Sequence, residues 1–386
     1  MNYRSHRNLK ISEIGVGCYA LSGAYGTVDP KEFQKMLRRA YELGVNFFDT
    51  AEGYGNAEEI LGETVKPFRD DVLLATKVGI REGIKPNLSK EYIEEACQLS
   101  LQNLKTDYID LYQVHFDDPK TPVKETVAVL DSLVDQGKIR YYGVGHLPKD
   151  RVHQYCEIGT PFSILMELSA VSRESRENLL PFCDPVQTAG IAFSTTGRGV
   201  LSGKYGPETV FEPDDIRNVD PLFQGPRFQS ALVIADKFSQ LGKKYGKTSI
   251  QVAIAWVLAQ PNIICALTGS TKINHMEENL GGSGWSLSQT DLMELNTFFE
   301  KEQQLLVEEE KARIEQILTT PLPKSPAQAF INLVYVLETS HNLDLLDEQR
   351  VRQIFQELWL LQKTLDEAHR PQLEAIQKRC KSLIYD

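Results

Sequence analysis

The sequence predicts an α/β protein, a (β/α)8 TIM barrel with a C-terminal α-helical extension. Short apolar runs rich in β-branched and aromatic residues alternate with longer stretches of helical period, which is typical of βαβ units around a parallel sheet. Eight such runs occupy roughly 300 residues, close to the usual size of this barrel with insertions. After about residue 305 the pattern changes to charged, leucine-bearing helices. We therefore predict a barrel domain over residues 1–305 and a helical extension over residues 306–386.

The eight apolar runs are the predicted barrel strands. Each is compact and would be buried on both faces of a parallel sheet. A doubly wound open sheet is the structural rival, but its GxGxxG fingerprint after the first strand is missing from SEIGVGCYALSG. The barrel is preferred, and its strands in chain order are residues 12–17, 45–50, 72–78, 109–115, 141–146, 163–168, 190–195 and 263–269.

The stretch 30–44 shows the helical period between the strands. Its apolar residues recur at i, i+3 and i+4, which would place one face on the sheet. Gly44 supplies a C-terminal stop. The residues of the apolar face are Phe33, Met36, Leu37, Ala40 and Tyr41.

The extension carries its own apolar stripe after a break marked by Pro321, Pro323 and Pro326. An apolar stripe on a helix is normally buried against another apolar surface. It could pack onto the barrel or the other tail helices, or it could form a dimer or partner surface. Its residues are Val351, Ile354, Phe355, Leu358, Leu361 and Leu365.

Composition excludes several classes of protein. The formal charge of -11 opposes binding to phosphate backbones, so we expect no nucleic-acid partner. The six cysteines are scattered without a CxxC pair, which suggests neither a disulfide framework nor a zinc or iron–sulfur site. We find no apolar signal core and no apolar stretch of the ~20 residues that a membrane span needs. We therefore expect a cytoplasmic protein with no membrane partner.

Four polar residues follow the apolar runs at the strand ends, where a parallel barrel carries its chemistry. Asp49, Lys77 and His115 end three successive strands, and Tyr54 follows Asp49 in the next turn. Singly, a strand-end Asp or Lys is often a structural ion pair, and a histidine in an apolar run is often a core residue. Together they favour a functional site.

The four side chains suit carbonyl reduction, in which hydride addition leaves an oxyanion that needs a proton. Tyr54 is the natural donor, but an ordinary tyrosine has a pKa of about 10 and needs a nearby cation to act at neutral pH. Lys77 would supply that cation, and Asp49 would hold it charged and oriented. His115 could then orient the substrate oxygen.

The chain resembles the aldo-keto reductase superfamily, in its longer NADP(H)-dependent type, over about residues 1 to 300. Segments 44–63, 73–79 and 104–116 resemble the signatures that carry the family's aspartate and tyrosine, its lysine and its histidine. Asp49, Tyr54, Lys77 and His115 would therefore be the catalytic tetrad. The resemblance implies direct hydride transfer from a nicotinamide cofactor to an aldehyde or ketone, without a metal.

The resemblance also implies a set of cofactor contacts. In GKIRYYGVGHLP, Gly145 and His146 stand where Ser and Asn usually hold the nicotinamide carboxamide, and Leu165 stands at the usual glutamine. Phe193 would stack on the nicotinamide. The remaining implied contacts are Gly17, Cys18, Tyr19 and Asp49 at the first strands, Ser194, Gly197 and Arg198 near the phosphates, Ser270, Thr271, Lys272 and His275 at a ribose 2'-phosphate, and Glu278 and Asn279 at the adenine.

Some of these positions have a simpler explanation. Residues 270–279 could be ordinary helix capping, and the polar stretch 206–228 could be a plain surface loop instead of the mobile loop that closes over the cofactor. The cationic Lys272 favours NADP(H) over NAD(H). Tyr19, Tyr54, His115 and Phe116 are the expected walls of the substrate pocket.

Two functional hypotheses follow. The first is an NAD(P)H-dependent reductase of a small aldehyde or ketone, with an alcohol as the substrate of the reverse reaction. The alternative is an NADP(H)-binding redox-sensing module whose C-terminal helices bind a protein partner or a second copy. A catalytically dead barrel is disfavoured by the complete tetrad.

Overall fold

The computed structural model describes residues 1–80, 86–212, 215–343 and 345–364. The chain forms two compact units. The barrel unit contains residues 1–23, 27–203 and 237–288, and the loop-and-tail unit contains residues 24–26, 204–236 and the chain from 289 onward. The predicted division at residue 305 stays a prediction, and it falls inside a helix that runs from Gln289 to Thr319.

The barrel unit is the predicted closed barrel of eight parallel strands, which confirms the fold class. The strands are β3 (Ile14–Gly17), β4 (Phe47–Asp49), β5 (Leu73–Val78), β6 (Ile109–Val114), β7 (Ile139–Gly145), β8 (Ser163–Glu167), β9 (Ala189–Phe193) and β10 (Ile263–Gly269). The order of neighbours is β10-β3-β4-β5-β6-β7-β8-β9. All adjacent pairs in the barrel are parallel.

An antiparallel hairpin that the sequence did not predict precedes the barrel. It consists of β1 (Tyr3–His6) and β2 (Leu9–Ser12). Its Leu9 and Ile11 belong to the buried cluster at the strand beginnings, and Arg4 donates 2.6 Å to the carbonyl of Ile263, the first residue of β10. The hairpin therefore covers the amino-terminal end of the barrel and leaves the carboxyl-terminal mouth free for chemistry.

Helices alternate with the strands as predicted. In the first helix, α1 (Pro30–Glu42), Asp29 caps the first turn by accepting 2.8 Å from the Lys31 amide, and Gly44 follows the helix with a φ of 92°. Four residues of the predicted apolar face are buried, while Tyr41 stacks on Phe68. The helices up to β10 are α1 (Pro30–Glu42), α2 (Ala57–Val65), α3 (Lys90–Asn103), α4 (Val123–Asp135), α5 (Lys149–Ile158), α6 (Glu174–Asn178), α7 (Leu180–Cys183), α8 (Gly225–Tyr245) and α9 (Ser249–Leu258).

Among the described residues after β10, the helices are α10 (Ile273–Leu280), α11 (Gln289–Thr319), α12 (Pro326–Leu343) and α13 (Glu348–Gln362). The stripe on α13 packs within the loop-and-tail unit. Ile354 and Leu358 are buried in a cluster with Ile314 and Phe330, and the other described stripe residues pack against that cluster. Leu365 lies outside the described residues. Within the described parts of the chain, no helix combines the length and the apolar character needed to cross a bilayer.

Candidate active site

The carboxyl ends of three neighbouring strands bring the predicted tetrad together. Asp49 is the last residue of β4, Lys77 lies one residue before the end of β5, and His115 follows β6 directly. Tyr54 lies in the loop between β4 and α2. Because parallel strands end at the same face of a barrel, these side chains share one mouth.

Lys77 and Asp49 form a buried ion pair. The Lys77 Nζ lies 2.5 Å from Asp49 Oδ1 and donates 2.7 Å to the carbonyl of Thr50. Gln113 Nε2 donates to the other carboxylate oxygen at 3.2 Å. Only 2% of Lys77 and 4% of Asp49 are exposed. Burial raises the pKa of Asp49, while the Lys77 ammonium and the Gln113 amide act in the opposite direction.

Tyr54 lies directly beside this pair. The Lys77 Nζ is 5.0 Å from the centroid of the Tyr54 ring, and the His115 ring centroid is 5.7 Å from it at an interplanar angle of 76°. Tyr19 contacts the same ring edge-on at 5.1 Å. The phenol, ammonium, carboxylate and imidazole therefore form one contiguous group.

The buried environment of His115 favours the neutral imidazole. Burial lowers its pKa well below the usual value, and the charges of Lys77 and His146 lower it further. Its backbone N–H donates 2.8 Å to the carbonyl of Val78, which fixes the residue at the strand end. Its Nδ1 is buried and has no hydrogen-bond partner among the described residues. A neutral ring with an unsatisfied nitrogen can bind a polar ligand atom.

We expect the His115 ring to stay neutral from neutral pH to well below pH 6.5. The unfolded chain takes up this proton near pH 6.5 and the folded chain does not, so His115 contributes stability above that pH that is lost as the pH falls. Nitrogen NMR of the imidazoles, with His115→Gln to assign the signal, measures the ionisation directly. A titration midpoint near 6.5 would contradict the buried environment.

A row of rings continues from His115 around the mouth. His115 contacts Phe116 at 4.6 Å between centroids, Phe116 stacks on His146 at 5.3 Å, and His146 contacts Phe193 at 4.6 Å. The expected pocket wall Phe116 and the expected stacking residue Phe193 therefore lie in the same row as the tetrad histidine.

The two unusual residues Gly145 and Leu165 are structurally coupled. They are register partners in the β7–β8 pair. A Cβ added at Gly145 would lie 3.0 Å from the Leu165 Cβ, which is too close for ordinary packing. Gly145 and Leu165 therefore fit each other, and a serine at residue 145 would require Leu165 to shift.

Three residues near the ends of β7 and β9 have left-handed backbone conformations. The φ angles of His146, Ser194 and Arg198 are 49°, 57° and 52°. Side chains other than glycine seldom adopt this region, and such residues cluster at functional sites. Arg198 also pairs with Glu167 at 3.2 Å, so part of its charge is already balanced. The nearby predicted residue Gly197 is buried and also has a positive φ of 57°.

The end of β3 lies between the tetrad and β10. Gly17 is in register with Asp49 on one side and with Gly269 on the other. The Cys18 amide donates 2.8 Å to the Asp49 carbonyl, and burial raises the pKa of the Cys18 thiol. Tyr19 is partly exposed at the rim.

The predicted adenosine-end residues lie after β10 and are separate from the tetrad. Ser270 Oγ accepts 3.1 Å from the Lys272 amide and donates 2.8 Å to its carbonyl, which holds the turn before α10. Lys272 and His275 are exposed, and Asn279 is buried. Thr271 and Glu278 are partly exposed.

Two polar residues of the site were missed from the sequence. Gln113 lies two residues before His115 in the same strand run, so the two-residue period of a strand places both on one face and could have identified it. Glu52 lies two residues before Tyr54. A single Glu52 carboxylate oxygen accepts from the amides of Gly79 and Ile80 at 2.8 and 3.0 Å and from the Tyr92 hydroxyl at 2.9 Å.

Glu52→Ala is expected to lower the kcat of a reaction catalysed at this mouth by about tenfold to a hundredfold, because a small misplacement of a reacting group has effects of that size. The Glu52 carboxylate bonds the loop that carries Tyr54 to the backbone amides of Gly79 and Ile80, which lie two and three residues after Lys77. Glu52→Gln is the matched variant, since its amide oxygen can still accept from the backbone. We expect it to retain most of the turnover. Steady-state kinetics would contradict this role if Glu52→Ala turned over like the unmodified protein.

No group of three or more His, Cys, Asp or Glu side chains in the described part of the chain is arranged to hold a metal ion.

The fold and the mouth define a barrel enzyme whose chemistry lies at the strand ends. A family model described as the Aldo/keto reductase family matches residues 13–299. The chain belongs to the aldo/keto reductase family. It is therefore an oxidoreductase of a family that uses nicotinamide cofactors for carbonyl reduction.

Individual relatives agree with this assignment. Aldo-keto reductase YhdN of Bacillus subtilis is 36% identical over 301 residues, which cover 76% of this chain and 91% of that protein. Among solved structures, the glycerol dehydrogenase of Gluconobacter oxydans is 27% identical with a TM-score of 0.70, covering 84% of this chain and 98% of the other. An aldo-keto reductase of Bacillus halodurans in its holo form is 25% identical with a TM-score of 0.64, covering 77% and 96%.

Proposed function

We propose that the protein reduces a small aldehyde or ketone to the alcohol with NADPH, and that Tyr54 is the general acid. The observation that supports this most strongly is the contiguous group of the Lys77–Asp49 pair, the Tyr54 ring and the His115 ring. The reverse reaction, oxidation of an alcohol, uses the same groups.

Each tetrad residue has one task in this proposal. Tyr54 donates its hydroxyl proton to the oxygen of the substrate, and the Lys77 ammonium stabilises the negative charge left on the phenol. Asp49 keeps Lys77 charged and in place. His115, whose neutral form is favoured by burial, contacts the substrate oxygen through a ring nitrogen. A bound reduced nicotinamide supplies the hydride to the carbonyl carbon.

The residues at the mouth fit a nicotinamide cofactor. Phe193 presents a partly exposed ring for stacking, and the His115 Nδ1 has an unmet hydrogen-bonding capacity among the described residues. A Cβ at Gly17 would meet only one backbone oxygen at 3.9 Å, and a Cβ at Gly269 would meet nothing within 4 Å, so these glycines leave the rim open beside Asp49. Gly145, His146 and Leu165 stand at the three positions that would hold the nicotinamide carboxamide. His146 carries the polar side chain among these three residues.

The direct test is to mix the purified protein with NADPH and a panel of small aldehydes and ketones and to follow the loss of reduced-cofactor absorbance. Glycerol with NADP+ tests the reverse direction, because one similar protein is a glycerol dehydrogenase. We expect turnover of at least one carbonyl compound. If no member of a chemically broad panel is turned over and NADPH does not bind, the proposal is wrong.

In this proposal, the N-terminus of α10 is the feature that favours NADPH over NADH. Lys272 is the N-cap residue of α10 and is exposed, so its ammonium lies at a helix N-terminus, where an anion is favoured. We expect Lys272→Ala to raise KM for NADPH about tenfold and to leave KM for NADH unchanged, because only NADPH carries the 2'-phosphate. An equal change for both cofactors would contradict the assignment.

A further inference from the structure

We propose that Gln113 is a positioning residue for the reaction, and that its side-chain amide fixes the Asp49 carboxylate in the orientation that pairs with Lys77. This inference rests on the proposed function for its effect on turnover. Its structural part concerns the ionisation of Asp49 in the barrel unit, and it can be tested without cofactor or substrate.

Gln113 lies inside the barrel unit, next to the tetrad and closed off from solvent. It belongs to β6, two residues before His115, and none of its surface is exposed. Alternate residues of a strand point to the same face, so Gln113 shares the face of His115. A residue without exposed surface does not contact a ligand at the rim. Gln113 can therefore influence the reaction only through its neighbours.

The neighbour that Gln113 bonds is Asp49, whose two carboxylate oxygens have different partners. Oδ1 lies 2.5 Å from the Lys77 Nζ, and Oδ2 accepts from Gln113 Nε2 at 3.2 Å. A carboxylate can rotate about its Cβ–Cγ bond, because the preference of that torsion is broad. A bond to each oxygen restricts the rotation, so the Gln113 amide keeps Oδ1 directed at the Lys77 ammonium.

The Gln113 amide also favours the charged form of Asp49. An ionised carboxylate only accepts hydrogen bonds, so the NH2 group of the glutamine is the end that faces it. Burial raises the pKa of Asp49, and Lys77 and the Gln113 amide oppose that rise. The ionised carboxylate is the form that keeps Lys77 charged beside the Tyr54 ring.

The titratable groups that face Asp49 from the strands on its other side, in the described part of the chain, are two thiols. Cys18 follows β3, and Cys265 lies in β10. Burial raises the pKa of each thiol far above its usual value, and the charge of Asp49 acts in the same direction. Both thiols are therefore neutral at acid and neutral pH and do not compete with Lys77 or Gln113.

The strand next to β6 leaves room for the glutamine. Gly143 of β7 is in register with Gln113, and a Cβ added there would lie 3.3 Å from Gln113 Cγ and 2.5 Å from Ser163 Oγ. The other end of the amide, Gln113 Oε1, is buried and has no hydrogen-bond partner among the described residues. Because an unpaired buried carbonyl is destabilising, an apolar residue would pack better here. The bond to Asp49 therefore explains the glutamine better than packing does.

The experiment compares Gln113→Met with Ser163→Ala. Methionine is unbranched like glutamine but has no amide, so it removes the bond to Asp49 and still fills the space. Ser163 is the matched control, because it is also buried beside Gly143 and its Oγ has no partner among the described residues. Carbon NMR of the aspartate carboxyl groups over a range of pH measures the proton affinity of Asp49 in the folded protein, with Asp49→Asn to assign the signal.

We expect Asp49 in Gln113→Met to bind its proton about tenfold more tightly, because a hydrogen bond to a charged group has that strength. The kcat for carbonyl reduction should fall by about tenfold to a hundredfold, since a small misplacement of a reacting group has effects of that size. The acid limb of the pH profile should move to higher pH, because Asp49 then takes up its proton at higher pH. Ser163→Ala should match the unmodified protein in all three measurements.

The proposal is overturned if Asp49 binds its proton equally tightly in the two variants. A lower kcat without that change would mean a packing role for Gln113 and would overturn the proposal as well. Should Gln113→Met fail to fold, Gln113→Leu removes the same amide, and the same outcomes apply. A failure of the proposed function is distinguishable, because the unmodified protein would then reduce no carbonyl compound, while the carboxyl titration needs neither cofactor nor substrate.

Discussion

Tyr54→Phe is expected to lower kcat for carbonyl reduction by ~10²–10⁴-fold, because general acid catalysis by a positioned side chain contributes about that much. The substitution removes only the hydroxyl. The ring that contacts Tyr19 and His115 and faces Lys77 remains, so the packing of the mouth is preserved. Affinity for NADPH should therefore stay within about twofold of the unmodified protein, since no binding contact is lost. Steady-state kinetics and fluorescence titration measure the two quantities.

Tyr41→Phe is the matched control for Tyr54→Phe. The Tyr41 hydroxyl also makes a hydrogen bond, to Asp71 at 2.9 Å, but it lies on α1 away from the strand ends. We expect its kcat to be unchanged. If both variants keep full turnover, the proton comes from another group and the assignment of Tyr54 is wrong.

Lys77→Met is expected to abolish turnover and to lower the free energy of unfolding by about 3–5 kcal/mol, the usual cost of removing one partner of a buried ion pair. The substitution leaves the Asp49 carboxylate buried without its ammonium, while the Gln113 amide still donates to it. Urea denaturation at neutral pH measures the stability, and NADPH oxidation measures the turnover.

The double variant Lys77→Met/Asp49→Asn separates the two effects. With both charges removed, much of the lost stability should return, because no uncompensated charge is buried, while turnover should remain absent. Lys105→Met is the control for an exposed pair, since Lys105 contacts Glu63 at the surface, and it should lower the stability far less than Lys77→Met does. A Lys77→Met protein as stable as Lys105→Met would contradict the buried pairing.

The barrel could be predicted from the sequence because each strand is buried on both faces and therefore forms a compact apolar run. The predicted ends differ from the observed ones by a few residues at most, as for the run 45–50, of which Phe47–Asp49 is strand. The hairpin could not be predicted in the same way. Its β1 is four residues long and partly exposed, so it has no apolar pattern to mark it.

The grouping of Asp49, Lys77 and His115 could be predicted because these residues lie at or next to the ends of neighbouring strands, and parallel strands end together. The coupling of Gly145 and Leu165 could not, because it depends on the register between β7 and β8, which no single segment encodes. Glu52 was missed for a related reason, since its three donors come from residues 27 to 40 positions away in the chain.

The grouping of the C-terminal helices with residues 204–236 could not be predicted from the sequence either. The stripe on α13 predicted that these helices cover an apolar surface, but a periodic pattern does not identify the residues against which it packs. The structure provides that partner in the cluster around Ile314 and Phe330, which includes Val219 from the loop. Within the described part of the stretch 206–228, Val219 is therefore packed against these helices.

The account depends most on direct transfer of a hydride at the mouth formed by Asp49, Tyr54, Lys77 and His115. The most direct measurement uses NADPH with deuterium in place of both hydrogens at C4 and analyses the alcohol by mass spectrometry. We predict one deuterium on the carbinol carbon of each product molecule, and ~10²–10⁴-fold slower formation of that product by the Tyr54→Phe variant. An alcohol formed without deuterium would contradict the account.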